Sequence, residues 1–288
     1  KGDRVLLVLK RNYQFWIAIL GLHKLGAVAI PATNQLVVHD YEYRFNAAGV
    51  SAVIATADGK TTDNIDEAEK NSPSLKVKIV ANGKKDGWHC FDDEFGLFSR
   101  RFVRDEETAC GNDPMIMFFT SGTTGNSKGV CLSQKNICAN INSTAKMVKV
   151  DPTLHSLSVL PLHHTYETTL GHLLLLSGGS CISYADGLRQ VSKNIGEYRP
   201  SVLIVVPLLL EFILKRIEAT LRQSLPAKLL PPEGTPLIDI IKGLPGIIRF
   251  IVKRKIKKTL GGKLRLLIVG AAPIKPETIE TFCYLGIT

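Results

Sequence analysis

Short runs of aliphatic and β-branched residues alternate along the chain with longer stretches whose apolar positions recur at helical spacing. Residues 4–9 predict a strand, 13–25 a helix and 27–31 a second strand. A helix near 40–48, a strand at 52–56, a polar helix near 62–70 and a strand at 76–81 continue the alternation. Residues 82–113, rich in Gly, Asp and Arg, break it and read as a connecting segment. The rhythm then resumes with strands at 114–119, 156–160, 180–184, 202–206 and 264–269. Helices are expected between them at 134–148, 168–176, 188–198, after Pro207, and from Pro276. The Pro- and Gly-rich residues 224–246 read as a flexible connection before a basic amphipathic helix. Strands that are apolar almost throughout need both faces covered, so the expected class is α/β: two doubly wound, mostly parallel sheets with flanking helices. The first subdomain and its connector are expected over 1–112, the second over 113–288.

The totals narrow the class without naming it. The chain has 288 residues, 45% hydrophobic and 22% charged, which is globular composition. No apolar run approaches the roughly 20 residues that span a bilayer. Cys90, Cys110, Cys131, Cys138, Cys181 and Cys283 are scattered, with no Cys-x-x-Cys pair. They read as reduced thiols of a cytoplasmic protein, several of them buried in apolar runs, rather than as a zinc site or disulfide framework. The formal charge is +10. Part of the excess is clustered at Lys253, Arg254, Lys255, Lys257, Lys258, Lys263 and Arg265. Beneath it Ile247, Ile248, Ile251, Val252, Ile256 and Leu260 recur at helical spacing. A solvated helix face is the first reading and weak contact of residues 247–260 with an anionic membrane the second. Nucleic acid is not expected, since no aromatic residues interleave with the charges.

Chemistry concentrates in one stretch. After the apolar run 115–119 comes Thr-Ser-Gly-Thr-Thr-Gly-Asn-Ser-Lys-Gly, residues 120–129. Glycines let successive backbone N–H groups converge on one anion. The hydroxyls of Thr120, Ser121, Thr123 and Thr124 add donors, and Lys128 adds a point charge. The spacing does not fit Gly-x-x-x-x-Gly-Lys-Ser/Thr, because Gly129 follows Lys128. A second cluster, Leu160-Pro161-Leu162-His163-His164-Thr165-Tyr166-Glu167, holds two adjacent histidines. On an extended segment they would point to opposite faces, which argues against a shared metal. His23 and His39 are expected in packing or surface roles.

Residues 120–129 resemble the phosphate loop of the adenylate-forming superfamily, with Ser127 where most members carry proline. The 160–167 segment is similar to the next motif of its long-chain acyl-CoA synthetase branch, and Gly270-Ala271-Ala272-Pro273-Ile274 resembles the segment lying against adenine. Residues 1–31 are family-like as well. Residues before about 92 are similar to medium-chain or acetyl-type synthetases, and those after 113 to long-chain ones.

The resemblance implies ATP-dependent activation of a carboxylic acid, here a fatty acid, to acyl-AMP, followed by transfer to CoA, with Mg2+ as cofactor. It implies that Thr120, Ser121, Gly122, Thr123, Thr124, Gly125 and Lys128 hold phosphates and that Gly270, Ala271, Ala272 and Pro273 face the adenine. Lys128 and His164 are the candidate catalytic residues. His163, His164 and Glu167 are expected in the acyl or thiol channel, and Thr120 on the metal side. The family's Tyr-Gly-x-Thr-Glu motif, ribose-binding aspartate and small C-terminal domain follow the Gly-Ala-Ala-Pro segment. The sequence stops before them at Thr288, so it is expected to be part of a large N-terminal domain and inactive alone. Two other readings remain at this stage: an acyl-AMP ligase that loads a carrier protein, and a non-catalytic nucleotide-binding module.

Overall fold

The computed structural model describes residues 1–106, 108–120 and 127–288. These form two compact units, Lys1–Thr144 with Pro161–Thr165, and Ala145–Leu160 with Tyr166–Thr288.

The first unit is built on a seven-stranded sheet in the order β5-β4-β3-β1-β2-β6-β7. Its strands are β1 (Arg4–Val8), β2 (Val28–Pro31), β3 (Ala52–Thr56), β4 (Val77–Ala81), β5 (His89–Cys90), β6 (Pro114–Thr120) and β7 (Lys128–Ser133). All neighbours are parallel except β6 and β7. Helices α1 (Gln14–Leu25), α2 (Val38–Ala48) and α3 (Thr61–Glu69) connect the early strands, as their apolar periodicity predicts. α1 ends at Gly26, whose φ of +71° lets its N–H return to the carbonyls of Leu22 and His23. Central β1 is buried on both faces: Leu6 and Val8 share a cluster with Ile30, Val53 and Val80, and Leu7, on the other face, is wholly buried too.

The expected connector is more ordered than its composition implies. It supplies edge strand β5 and a short helix, α4 (Phe91–Glu94). There Asp92 accepts hydrogen bonds from Gln14 Nε2 (2.7 Å), the Asn82 N–H (2.8 Å) and Tyr13 Oη (3.0 Å). A polar sequence can be ordered by such bonds, which leave no apolar period to read.

The division also falls elsewhere than at 112/113. β6 returns to the first sheet, with Ile116 paired to Ala29, and buries Met115, Ile116 and Phe118. Both strands flanking the glycine-rich loop therefore belong to the first unit. α5 (Gln134–Met147) follows β7 and carries the chain onward.

The second unit has a four-stranded, wholly parallel sheet in the order β11-β10-β8-β9. The strands are β8 (His155–Ser158), β9 (Cys181–Tyr184), β10 (Val202–Val205) and β11 (Leu266–Val269). Along β10, Leu203 and Val205 enter one core cluster while Val202 and Ile204 enter another, so both faces are covered. A π-helix at Glu167–Leu174 runs into α6 (Leu175–Ser177), and α7 (Val191–Tyr198) and α8 (Pro207–Ser224) flank β10 in sequence. α9 (Leu237–Gly243), α10 (Gly246–Thr259) and α11 (Pro276–Tyr284) complete the unit.

α9 lies inside the stretch expected to be a flexible connection. Its Leu237, Ile238, Ile240 and Ile241 are buried, and this packing overrides the breaking effect of the surrounding prolines. The cysteines depart from expectation as well: Cys90 is half-buried and the other five are exposed. Cys131, for example, lies on edge strand β7, which has no neighbour on its outer side among the described residues.

Candidate functional site

The candidate residues are distributed over both units. In the first, β6 and β7 form an antiparallel pair that brings the two ends of the glycine-rich loop together. Thr120 and Lys128 are direct cross-strand partners, and Thr120 Oγ1 donates to the Lys128 carbonyl at 3.5 Å. Partners on an antiparallel ladder share a face, so the hydroxyl and the ammonium stem emerge side by side. The pair is braced locally. Tyr43 Oη donates to the Ser127 carbonyl at 2.6 Å, and the Tyr43 ring meets Phe119 edge-on at 6.2 Å. Gly129 allows close approach, since a Cβ there would stand 2.9 Å from Met117 Sδ. Lys128 is exposed and has no carboxylate partner among the described residues. Ser121, Gly122, Thr123, Thr124 and Gly125 lie outside the described residues.

His163 and His164 sit in a turn closed by the His164 N–H donating to the Pro161 carbonyl at 3.1 Å. The expected extended conformation, with rings on opposite faces, does not occur; the ring centroids are 4.4 Å apart. Burial and the neighbouring His164 push the His163 pKa down to about 4, so this imidazole is neutral near pH 7.

In the second unit the structure draws together residues that the sequence did not connect. Glu167 is buried and accepts a hydrogen bond from Ser158 Oγ. His172 Nδ1 lies 4.0 Å from Glu167 Oε1, and His172 Nε2 is 3.1 Å from Tyr184 Oη. Desolvation pushes the His172 pKa down to about 3, so the pair is not an ion pair near neutral pH. Five positions separate Glu167 from His172, a spacing that an α-helix spreads around its circumference. The i→i+5 repeat of the π-helix stacks them instead, and helical wheels drawn at 3.6 residues per turn miss the pair.

Tyr166, one residue earlier, reaches the segment expected against adenine. Its Oη donates to the Ile268 carbonyl at 3.1 Å, and a Cβ on Gly270 would stand 3.0 Å from each of its Cε2, Cζ and Oη. The next residue, Ala271, adopts φ +69°, a left-handed conformation that costs a non-glycine residue roughly 1–2 kcal/mol. Ala271, Ala272 and Pro273 are exposed, so the segment leaves β11 as an open, backbone-rich turn held from beneath by one aromatic ring. Tyr166 falls within the quoted 160–167 segment, and its contact with Gly270 was invisible across the hundred or so intervening residues.

Residues 1–287 match the family of AMP-binding enzymes, and the chain belongs to that family. Its relatives include long-chain-fatty-acid–CoA ligase 5 of Rattus norvegicus, 28% identical over 97% of this chain and 44% of that protein. Long-chain-fatty-acid–CoA ligase 1 of Cavia porcellus is 27% identical over 97% of this chain and 43% of that protein. The chain thus spans less than half the length of these relatives. Among solved structures, the inhibitor-bound N-terminal domain of FACL13 from Mycobacterium tuberculosis superposes with a TM-score of 0.72 at 21% identity, covering 100% of this chain and 61% of that one. The α/β architecture of two mostly parallel sheets is that of the adenylate-forming N-terminal domains.

Proposed function

We propose that this chain is the nucleotide-gripping part of an AMP-forming acid–thiol ligase acting on fatty acids. In the reaction, a carboxylate oxygen attacks the α-phosphorus of ATP, the bond to the bridging oxygen breaks, and pyrophosphate leaves. The thiol of CoA then attacks the acyl carbon and AMP departs. The match to AMP-binding enzymes over residues 1–287 carries this reading. The substrate class follows the names of the relatives, long-chain-fatty-acid–CoA ligases.

The residues present fit a polyphosphate. Lys128 is an exposed cation without a carboxylate partner among the described residues, beside the hydroxyl of Thr120. In this reading the pair neutralises charge on the phosphates that leave, and the loop residues Ser121 to Gly125 supply further donors. Gly270, Ala271, Ala272 and Pro273 form the adenine wall, and His164 lines the acyl or thiol path. Mg2+, when bound, would supply further neutralisation of phosphate charge. Chemistry of this kind depends on positioning more than on covalent help.

The test is acid-dependent exchange of labelled pyrophosphate into ATP by the full-length protein, together with ATP titration onto the chain. Lys128→Ala is expected to lower exchange and ATP affinity by about tenfold or more, with the fold intact by circular dichroism. Exchange and affinity equal to wild type would overturn the assignment of Lys128.

A contact with anionic membranes is favoured by one feature of α10. Ile247, Phe250 and Ile251 are 79%, 66% and 57% exposed, and they precede Lys253, Arg254, Lys255, Lys257 and Lys258. Apolar side chains displayed beside a basic run suit the headgroup boundary of a bilayer. No helix among the described residues is long and apolar enough to cross one. Flotation with vesicles containing phosphatidylserine is expected at low salt and lost at high salt. Absence of binding at low salt would leave α10 a solvated helix.

A further inference from the structure

On α1 the apolar residues do not all face the sheet. Tyr13, Ile17, Leu20 and Lys24 recur at helical spacing on the outward side, and the three apolar ones are 52%, 42% and 38% exposed. The segment that follows α4 runs beside this ridge and is tied to both of its ends. Tyr13 Oη donates to Asp92 at 3.0 Å, and Lys24 Nζ lies 5.9 Å from the Phe102 ring centroid. Farther on, Ala109 lies against the end of the helix, where a Cβ on Gly26 would stand 3.2 Å from the Ala109 Cβ. Every residue from 95 to 106 is exposed, yet Phe95, Leu97, Phe98, Phe102 and Val103 are apolar. A water-facing run of this composition marks a contact surface. With the α1 ridge it offers on the order of 800 Å2 of apolar side chain, about the area one partner of a standard dimer buries.

The charges on the segment select what covers it. Arg100, Arg101 and Arg104 are followed directly by Asp105 and Glu106. Among the described residues none of the three arginines has a carboxylate partner, whereas Lys78, Lys84 and Lys85 of the same unit do. Thr108 Oγ1 donates to Asp105 Oδ1 and the Thr108 N–H to the Asp105 carbonyl, both at 3.2 Å, so the acidic end is held in a turn. An antiparallel copy of the same segment, centred on Val103, sets Arg100 opposite Glu106, Arg101 opposite Asp105 and Arg104 opposite Phe102. The first two matches are ion pairs and the third is a cation beside an aromatic ring, and each occurs twice about the axis. The backbone N–H groups of Phe102, Val103 and Arg104 meet no backbone carbonyl among the described residues and are open to a neighbouring strand. Leu97 and Phe98 then come opposite Ala109 and Thr108, beside the end of the second copy's α1. An anionic membrane would attract the arginines but repel the two acids that follow them. A second copy satisfies both.

We propose that this protein forms a twofold dimer through the outward side of α1 and residues 95–106, the two segments crossing antiparallel at Val103. The surface lies within the first unit and shares no residue with the glycine-rich loop, the histidine turn or the Gly270–Pro273 segment. It stands independently of the adenylation reading.

The test is sedimentation velocity of the full-length protein over about 1–100 μM at low salt. A reductant excludes copies linked through the exposed cysteines. A monomer–dimer equilibrium is expected. Arg100→Glu and Glu106→Arg should each weaken it about fivefold or more, because each sets like charges opposite one another twice. An equimolar mixture of these two variants should recover wild-type association as a mixed dimer, which general damage to the fold would not allow. Leu97→Ser with Phe98→Ser should weaken it about tenfold or more with unchanged circular dichroism, both side chains being exposed. A protein that stays monomeric overturns the proposal, as does a dimer that these substitutions leave unmoved. A mixture that associates no better than its parts overturns it too. A monomer that binds phosphatidylserine vesicles, and loses that binding with Leu97→Ser and Phe98→Ser, would assign the surface to a membrane and also overturn it.

Discussion

Replacing Gly270 by alanine tests whether Tyr166 supports the turn that leaves β11. The φ of Gly270 lies outside the left-handed region, so alanine meets no backbone penalty and gains about 0.4–1 kcal/mol by stiffening the unfolded chain. Against that stands the ring. The new Cβ would lie 3.0 Å from Cε2, Cζ and Oη of Tyr166, so the ring must retreat by a few tenths of an ångström. It has little room, because Tyr166 packs against both core clusters of the second unit and its hydroxyl is bonded to Ile268. Overpacking of this kind costs about 1–3 kcal/mol, so the net loss should be on the order of 1–2 kcal/mol. Tyr166→Phe alone removes one hydrogen bond, about 0.5–1.5 kcal/mol. It also removes one of the three atoms the Cβ would meet and frees the ring to shift. The double variant should therefore lose less than the sum, with a coupling of about 0.5–1.5 kcal/mol. The assay is urea unfolding followed by far-ultraviolet circular dichroism. Trp16 and Trp88 both lie in the first unit, so their fluorescence gives an internal reference for the sheet the substitutions do not touch. Costs that add within about 0.4 kcal/mol would refute the proposed support, as would a Gly270→Ala variant as stable as wild type.

Gly261, after α10, is a harsher position. Its φ is +81° and a Cβ would stand 2.6 Å from the Ile195 carbonyl oxygen, a backbone atom that cannot swing aside. Gly261→Ala should cost at least about 3 kcal/mol, read as the shift in urea midpoint; a loss under about 1 kcal/mol would show the turn to be pliant. The acid limb of stability should be shaped by buried histidines. Burial holds His172 at a pKa of about 3 and His23 at about 4, below the ordinary 6.5. Below pH 6.5 the unfolded chain takes up protons that these folded groups refuse, so stability falls as pH drops toward 4, by up to about 1.4 kcal/mol per pH unit for each group. His172→Gln, which can still bond Tyr184, should flatten that slope by one group's share; urea midpoints at pH 7, 6 and 5 that fall equally steeply in both proteins would count against it.

Much of this molecule could be read from the chain because its strands are buried twice over. β10 is apolar at every position and β1 at every position after Arg4, and that signal survives without knowledge of the neighbours. The helices between such strands show a single apolar stripe and are equally plain. What escaped notice had a different origin in each case. β7 is an edge strand with four exposed residues in six, so its sequence lacked the apolar density that marked the others, and with it went the pairing that binds the loop into the first sheet. Strand pairing is a long-range choice, which is why the membership of β6 and β7 in the first sheet is not legible in their own residues. α9 was hidden by prolines at 236 and 245, which bound it rather than break it. The stretch 120–129 stands out by composition alone, since glycines and hydroxyls at that density serve no core. The support beneath the Gly270–Pro273 turn does not, because a tyrosine looks the same whether it fills a core or props a turn. Composition and motif therefore reveal candidate site residues more readily than the residues that pack beneath them. Tyr166, Ser158 and His172 belong to the second kind, and only their hydrogen bonds to Ile268, Glu167 and Tyr184 distinguish them from ordinary packing.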